Sequence, residues 1–221
     1  MMQKIWLNAI KKQENKNNLM TRLDMKLLFP LESKDKLISY LTNNFKILCK
    51  HENQSINNDS FNYLYKSIYY DSINLHCYND HHKSRRRRFK IRKRMYYDTW
   101  EAFIEFKSKN LNITKKKRLS TDIDNFYNTL TRNEQLFIEK NYYQLLNNDI
   151  KEFYFPQIET KYTRQSFFSH DLQTKITFDK NIIFSDRLSW NYKKFSSRWI
   201  VEIKSSTSSK RIQNISKDIQ L

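Results

Sequence analysis

A run of arginine and lysine residues between positions 85 and 96 is the part of the chain best suited to chemistry. From Phe89 onward, basic and apolar residues alternate. Because strand side chains point to opposite faces with period two, Lys90, Arg92 and Arg94 share one face and the apolar residues share the other. Guanidinium groups bind phosphate oxygens through paired hydrogen bonds, and lysine supplies point charge. The run therefore predicts a surface that binds a phosphate-bearing polyanion.

Several other strands show the same design, with charged groups on one face and large apolar groups on the other. Asp24, Glu105 and Glu202 stand among the cations of these strands. A carboxylate in such surroundings either pairs with the cations or holds a hard divalent metal such as Mg²⁺ or Mn²⁺, which prefers oxygen ligands. Two sheets packed face to face would show this alternation with the charges in solvent. A closed antiparallel barrel with a charged interior would instead enclose a ligand.

The composition limits the classes of function. The 221 residues carry a net charge of +18, which indicates a polyanionic partner such as nucleic acid, polyphosphate, nucleotide or anionic lipid. The chain has no glycine, which excludes a P-loop and a dinucleotide-binding fingerprint, so side chains must bind any phosphate. Its two cysteines fit neither a metal site nor a disulfide framework, and we expect a cytoplasmic location. We expect a soluble protein without a membrane segment or signal peptide.

Hydrophobic periodicity predicts an α+β chain. The predicted strands are residues 20–30, 63–71, 89–97, 100–109, 159–168, 174–179 and 198–205, and residues 115–118 begin a further strand or a loop. The predicted helices are residues 32–50, 73–80 and 122–154, and the first has Ser33 as its N-cap. We expect a polar leader at residues 1–20, a loop at 51–61, and one domain at 21–221 that ends in a basic, serine-rich tail. Without glycine, wider loops are expected near residues 83–84 and 112–113.

The motifs carried by these elements occur in a recognisable order. They are RLDMK at 22–26, SIYYD at 67–71, Tyr78, RFKIRKR at 88–94, IEFK at 104–107, KKKR at 115–118, KYTR at 161–164, ITFD at 176–179, VEIK at 201–204 and SK at 216–217. In this order the chain resembles the VTC domain of the vacuolar transporter chaperone family, the polyphosphate polymerases of the triphosphate tunnel metalloenzyme (CYTH-like) superfamily. The resemblance covers nearly the whole chain.

The resemblance implies a fold and an activity. The fold is an eight-stranded antiparallel β-barrel, the triphosphate tunnel, with helices packed outside. In that family the γ-phosphate of ATP is transferred to a growing chain of inorganic polyphosphate inside the tunnel, and ADP is released. The partners implied are ATP and inorganic polyphosphate, with Mn²⁺ or Mg²⁺ as cofactor.

The resemblance also implies roles for individual residues. The catalytic phosphate clamp would be Lys26, Arg92, Arg94, Lys107 and Arg164. The metal ligand would be Glu202, with Glu105 and Asp24 as further candidate carboxylates. Substrate or product would be bound by Lys90, Lys117, Lys204, Ser216 and Lys217. We expect Lys90, Glu105 and Lys204 to act mainly by orienting neighbours. The chain departs from the family where Asp24 replaces the usual glutamate and Asp218 replaces an aromatic residue.

Two alternatives to a polymerase stay open at this stage. Water could replace the acceptor phosphate in the same tunnel, which would give a triphosphate hydrolase. A basic nucleic-acid-binding or ribosome-associated protein would also explain the net charge of +18. Residues 85–87 precede the alternation, and we expect them at the tunnel mouth or in solvent.

Overall fold

The computed structural model describes residues 23–47, 62–111, 113–187, 191–195, 198–205 and 209–220. The chain divides into two compact units: unit 1 comprises residues 1–63, 163–182 and 195–221, and unit 2 comprises residues 64–162 and 183–194. The predicted leader at residues 1–20 and the predicted loop at 51–61 lie outside the described residues.

The secondary-structure elements are numbered in chain order. They are β1 (Leu23–Pro30), α1 (Lys34–Asn44), β2 (Lys46–Ile47), β3 (Tyr63–Asp71), α2 (His76–His82), β4 (Arg87–Tyr96), β5 (Glu101–Asn110), β6 (Ile113–Thr121), α3 (Arg132–Leu146), β7 (Phe155–Phe168), β8 (Thr174–Asp186), β9 (Tyr192–Phe195), β10 (Arg198–Ser205) and α4 (Ser209–Gln220). The predicted bounds of β3 and β10 are confirmed. In the part of the chain that the structure describes, no helix is both long enough and apolar enough to cross a membrane.

Unit 1 contains a sheet ordered β1-β10-β8-β7, in which β2 also pairs with β7. Trp199, Val201 and Ile203 alternate along β10 and are buried, while Glu202 and Lys204 lie on the other face. The buried cluster includes residues from both helices of the unit, α1 and α4. The period-two pattern therefore separates an apolar face from a charged face, as the sequence predicted.

Unit 2 contains strands ordered β7-β3-β4-β5-β6, and β9 pairs with β8. Strands β4, β5 and β6 form two consecutive antiparallel hairpins. Phe89, Ile91 and Ile104 are buried in one cluster together with Ile138 and Tyr142 of α3. The opposite face of these strands carries the basic residues. Among the described residues, the order of paired strands begins at β1 and ends at β6, and these two strands are not paired with each other.

Two helix predictions and the prediction for the C-terminal segment need correction. The first helix ends at Asn44 instead of residue 50, because Phe45 is extended and the next two residues pair with β7. The helix predicted over 122–154 is limited to α3, because a capping box between Thr131 and Glu134 begins it and Asn147, at a φ of 54°, ends it. The tail predicted as basic and serine-rich is the helix α4, whose isoleucines at 212, 215 and 219 are buried.

Left-handed backbone conformations take the place of glycine turns. The described residues with positive φ are Leu75, Ser84, Trp100, Leu111, Asn147, Leu172 and Asn181. The turn between β5 and β6 is tight, since Asn110 pairs with Ile113 and two residues connect them. The expectation of a wider loop there was wrong, because Leu111 adopts a φ of 54° in spite of its Cβ atom.

Replacing Leu111 by glycine is expected to stabilise the protein. A left-handed residue with a Cβ atom is strained by about 1–2 kcal/mol. Glycine removes this strain, but its greater conformational freedom in the unfolded chain offsets part of the gain. We expect a net gain of about 1 kcal/mol, which raises the melting temperature by roughly 2–4 °C for a chain of this size. The matched control is Leu136→Gly on an exposed position of α3, which should destabilise the helix by about 1 kcal/mol. Equal losses in both variants would contradict the strain at Leu111.

Candidate functional site

Many of the basic residues of β4, β5 and β6 share one face of unit 2. Lys90 lies opposite Lys107, and Arg92 lies opposite Glu105. Glu105 in turn lies opposite Arg118. Residues directly opposite in an antiparallel pair project to the same side. The structure therefore brings together four residues predicted from the sequence, Lys90, Arg92, Arg94 and Lys107.

Arg92 is held rigidly at the centre of this face. Its Nε and Nη2 atoms each lie 2.7 Å from Oε2 of Glu105. Its Nη1 donates a hydrogen bond of 3.1 Å to the hydroxyl of Tyr69. Oε1 of Glu105 accepts a hydrogen bond of 3.1 Å from Nζ of Lys116. Both oxygens of Glu105 are therefore engaged by cations, and Glu105 and Tyr69 together fix the guanidinium of Arg92.

Arg94 is almost fully buried on the same strand. It is 8% exposed, and its Nε donates to Oγ of Ser67 at 2.9 Å. The guanidinium carbon lies 5.9 Å from the ring centres of both Tyr65 and Tyr162. Those two rings stack on each other with centres 5.4 Å apart. Stacked rings and a hydroxyl thus orient Arg94 through cation–π and hydrogen-bonding contacts.

The electrostatic potential on this face is strongly positive, as the lowered pKa values of two acidic side chains, Tyr69 and Glu105, show. Burial would raise the pKa of Tyr69, but the charges of Arg92, Arg94 and Lys90 outweigh it and lower the pKa to about 8. Burial would likewise raise the pKa of Glu105, but Arg92, Lys116 and Arg94 lower it to about 2. A site that stabilises phenolate and carboxylate in this way will also stabilise phosphate oxygens.

The pKa of Glu105 predicts a contribution to acid unfolding. Its folded pKa of about 2 lies below its ordinary value of 4.5, so the stabilisation is complete above pH 4.5 and is lost as the pH falls towards 2. Urea titrations should show a decrease of about 2–3 kcal/mol over that interval for this group. In Glu105→Gln the slope should be shallower, while the control Glu139→Gln, which changes a half-exposed carboxylate loosely paired with Arg132, should follow the wild type. Identical slopes in all three proteins would contradict the assignment.

Unit 1 has a second charged constellation, centred on Glu202. Oε2 of Glu202 lies 2.7 Å from Nζ of Lys204, and Oε1 lies 3.9 Å from Nζ of Lys26. Burial would raise the pKa of Glu202, but Lys204, Lys26 and Arg164 lower it to about 2. Glu202 therefore stays ionised at any pH at which the protein would work.

Arg164 belongs to the same unit and is paired with a carboxylate that the sequence analysis did not single out. Its Nε and Nη2 atoms lie 2.5 and 2.7 Å from the two carboxylate oxygens of Asp179. This fork-shaped pair fixes the plane of the guanidinium. Asp179 thus positions Arg164 as Glu105 positions Arg92. Each pair joins two neighbouring strands, β4 with β5 and β7 with β8. The partner of Arg164 could be identified only once the order of the strands was known.

The candidate metal carboxylates differ in how well they suit a divalent ion. Oε1 of Glu202 has a loose contact with Lys26, whose side chain is 69% exposed. Thr177 lies opposite Glu202 on β8, and its hydroxyl is buried without a partner among the described residues. Mg²⁺ commonly takes one or two protein carboxylates and completes its shell with water and substrate phosphates, so Glu202 fits this mode. Glu105, 1% exposed and doubly paired, does not fit. Asp24 is exposed on β1 opposite Lys204. Among the described residues, no three His, Cys, Asp or Glu side chains gather into a metal-binding group.

The remaining predicted residues lie elsewhere. Lys117 projects from the other face of β6, where its Nζ donates to Gln144 of α3 at 2.5 Å. Lys116, which the sequence analysis passed over, occupies the basic face instead. The two-residue turn fixes this register, and a shift by one residue exchanges the faces of a strand. Ser216 is buried and Lys217 is exposed on α4. Arg85, Arg86 and Arg87 are exposed, as expected.

Comparison with known proteins supports this fold assignment. The family model described as the VTC domain matches residues 3–220, nearly the whole chain. No curated protein sequence matches the chain. Two of the solved structures that are similar in fold are each described as a "putative adenylate cyclase". The one from Vibrio parahaemolyticus is 12% identical with a TM-score of 0.52, over 90% of this chain and 88% of that chain. The one from Bacillus halodurans is 12% identical with a TM-score of 0.54, over 91% of this chain and 92% of that chain. The predicted antiparallel α+β architecture is thereby confirmed.

Proposed function

The chain belongs to the VTC domain family, and from this premise we propose that it is a metal-dependent polyphosphate polymerase. It transfers the γ-phosphate of ATP to the end of an inorganic polyphosphate chain. The bond between the γ-phosphorus and the bridging oxygen of ADP breaks, a bond to a terminal oxygen of the acceptor chain forms, and ADP leaves. Phosphoryl transfer asks the protein mainly for positioning and charge stabilisation, and fixed cations supply both.

The observation that supports the proposal most directly is the immobilised Arg92 on a face rich in cations. Glu105 and Tyr69 hold its guanidinium from two sides. Arg94 is oriented by Ser67 and two tyrosine rings. Guanidinium groups that are already fixed lose little freedom when they bind phosphate oxygens. A nucleic-acid surface would not require this degree of fixation.

The other residues take complementary roles in the proposal. Lys107 and Lys90 add positive charge beside Arg92. Arg164 and Lys26 bind phosphate oxygens in unit 1, with Lys204 as the partner that orients Glu202. Glu202 holds Mn²⁺ or Mg²⁺, which when bound neutralises charge on the phosphate oxygens. The proposal keeps Ser216 and Lys217 as contacts to substrate or product. It omits Lys117, which binds Gln144 on the other face of β6.

The location that we propose is the cytoplasm. Cys77 is a buried, free thiol, which suits a reducing compartment.

Assay of the purified protein with ATP, a short polyphosphate primer and either Mn²⁺ or Mg²⁺ tests the proposal by its products. Long, acid-labile phosphate chains together with ADP are expected. ADP with free phosphate and no chain would identify a triphosphate hydrolase. Cyclic AMP would identify an adenylate cyclase, the activity for which the structures from Vibrio parahaemolyticus and Bacillus halodurans are named. No turnover with either metal, together with binding of nucleic acid that weakens steeply with salt, would favour the basic binding protein.

A further inference from the structure

A cavity of about 590 Å³ lies in unit 2, where β4 begins and β5 ends, at the end of this strand pair away from its connecting turn. Three cations and two uncharged residues line it, namely Arg86, Arg88, Lys109, Ser84 and Leu111. This volume is within the range of small-ligand sites, about 300–1,000 Å³. Arg88 is four residues before Arg92 on the same strand, so the two share a face and are separated by roughly 13 Å. The cavity is thus distinct from the contacts that hold Arg92.

In the described part of the chain, the positive charges that line this cavity have no carboxylate partners, whereas Arg92 is paired with Glu105. Arg88 lies directly opposite Lys109 across the strand pair, and like charges in that position destabilise a sheet. No carboxylate lines the cavity. Among the residues that the structure describes, none forms an ion pair with Arg86, Arg88 or Lys109, whereas Glu105 pairs with Arg92 and Lys116. An anion from solution would remove the repulsion.

The hydrogen bonding of Arg88 indicates where such an anion would bind. Its Nη1 donates to the carbonyl oxygen of Arg85 at 2.7 Å, which fixes the guanidinium plane. Its Nε is buried and has no partner. A buried charged donor without an acceptor destabilises the folded protein. A phosphate that enters the cavity would bring acceptor oxygens to this incompletely satisfied guanidinium.

We propose that this cavity is a second phosphate site, which binds the inorganic polyphosphate chain at a point remote from Arg92. The proposal rests on the proposed function, because it assigns the occupant as that enzyme's own product. The lining residues favour a bare phosphate chain over a nucleotide or nucleic acid, since none of them has an aromatic ring on which a base could stack. The site retains a long chain without taking part in the transfer.

The test compares Arg88→Gln/Lys109→Gln with the matched double variant Lys140→Gln/Lys151→Gln. Lys140 and Lys151 are exposed residues of the same unit, and their substitution removes the same charge from outside the cavity. Calorimetry would measure the binding of long polyphosphate, tripolyphosphate and pyrophosphate without ATP, after urea unfolding has shown both variants to be folded. Loss of two charged hydrogen bonds should weaken long-chain binding in the cavity variant by at least about tenfold. Tripolyphosphate binding and the initial rate with ATP should be unchanged.

The outcomes separate this site from the proposed function. If the wild type transfers no phosphate but the cavity variant still loses long-chain affinity, the phosphate site stands and the polymerase proposal fails. If transfer occurs and both variants bind long chains equally, the site is wrong. An equal loss for pyrophosphate and for long chains would overturn the assignment to the product chain, because the cavity would then hold a free small anion.

Discussion

The Glu202→Gln variant is expected to lose metal-dependent phosphoryl transfer by about 10²-fold or more, because a bound metal contributes several kcal/mol of charge stabilisation in the transition state. The amide has the shape of the carboxylate and can still accept the hydrogen bond of Lys204. It lacks the charge that holds a divalent cation. Since Glu202 is ionised through its neighbouring lysines, the change removes a charge that is present at neutral pH.

Metal binding should be measured beside activity in this variant. Mn²⁺ affinity, followed by electron paramagnetic resonance with a non-hydrolysable ATP analogue present, should fall together with the rate. Glu32→Gln, which neutralises an exposed carboxylate of the same unit, is the control and should leave both unchanged. Asp24→Asn tests the second candidate on that face and should have the smaller effect. Wild-type Mn²⁺ affinity in Glu202→Gln would exclude Glu202 as the ligand.

Substituting Lys93 by alanine is expected to have the largest effect on stability, about 3–5 kcal/mol. Lys93 is fully buried on the apolar face of β4, and its Nζ lies 3.1 Å from Oε2 of Glu134 on α3. It also donates to the carbonyl oxygen of Asn125 at 2.7 Å. Burial lowers the pKa of Lys93, and Glu134 partly opposes this shift. The alanine variant leaves Glu134 buried without its counter-charge.

The double variant Lys93→Met/Glu134→Gln separates the charge from the packing. It leaves no unpaired charge, and glutamine can still serve in the capping box with Thr131. We expect it to recover most of the stability lost in Lys93→Ala when free energies of unfolding are measured in urea. Lys90→Ala, on the exposed face of the same strand, should change the stability by no more than about 0.5 kcal/mol. A loss below about 1 kcal/mol in Lys93→Ala would show that the pair does not hold α3.

The strands that the sequence predicted correctly include those with one apolar and one charged face, and burial alternates strictly in β10. In β4 the period-two pattern places Arg92 and Arg94 on the charged face, and in β10 it places Glu202 there. Local alternation suffices for such strands because each has one apolar face. Lys93 breaks the pattern of β4, and its partner Glu134 lies on α3. Lys93 and Glu134 are far apart in the sequence, so no local sequence pattern predicts that they pair.

The faces of β6 could not be assigned because they depend on a turn. The sequence suggested a wide loop in a chain without glycine, and the motif then favoured Lys117. With only residues 111 and 112 in the turn, Lys116 lies opposite Lys107 and Lys117 lies opposite Phe106. The helix α4, by contrast, could have been found, since Ile212, Ile215 and Ile219 follow the helical spacing. The serines that precede this segment and the polar residues between the isoleucines obscured the spacing.

The measurement that tests the central claim most directly follows the label of ATP. The wild-type protein is incubated with Mn²⁺ and ATP labelled at either the γ- or the α-phosphate, and the long phosphate chains are separated from nucleotides. Our account predicts that the γ-label enters the chains and that the α-label stays in ADP. Recovery of the γ-label as free phosphate alone, or of the α-label in a cyclic nucleotide, would contradict it.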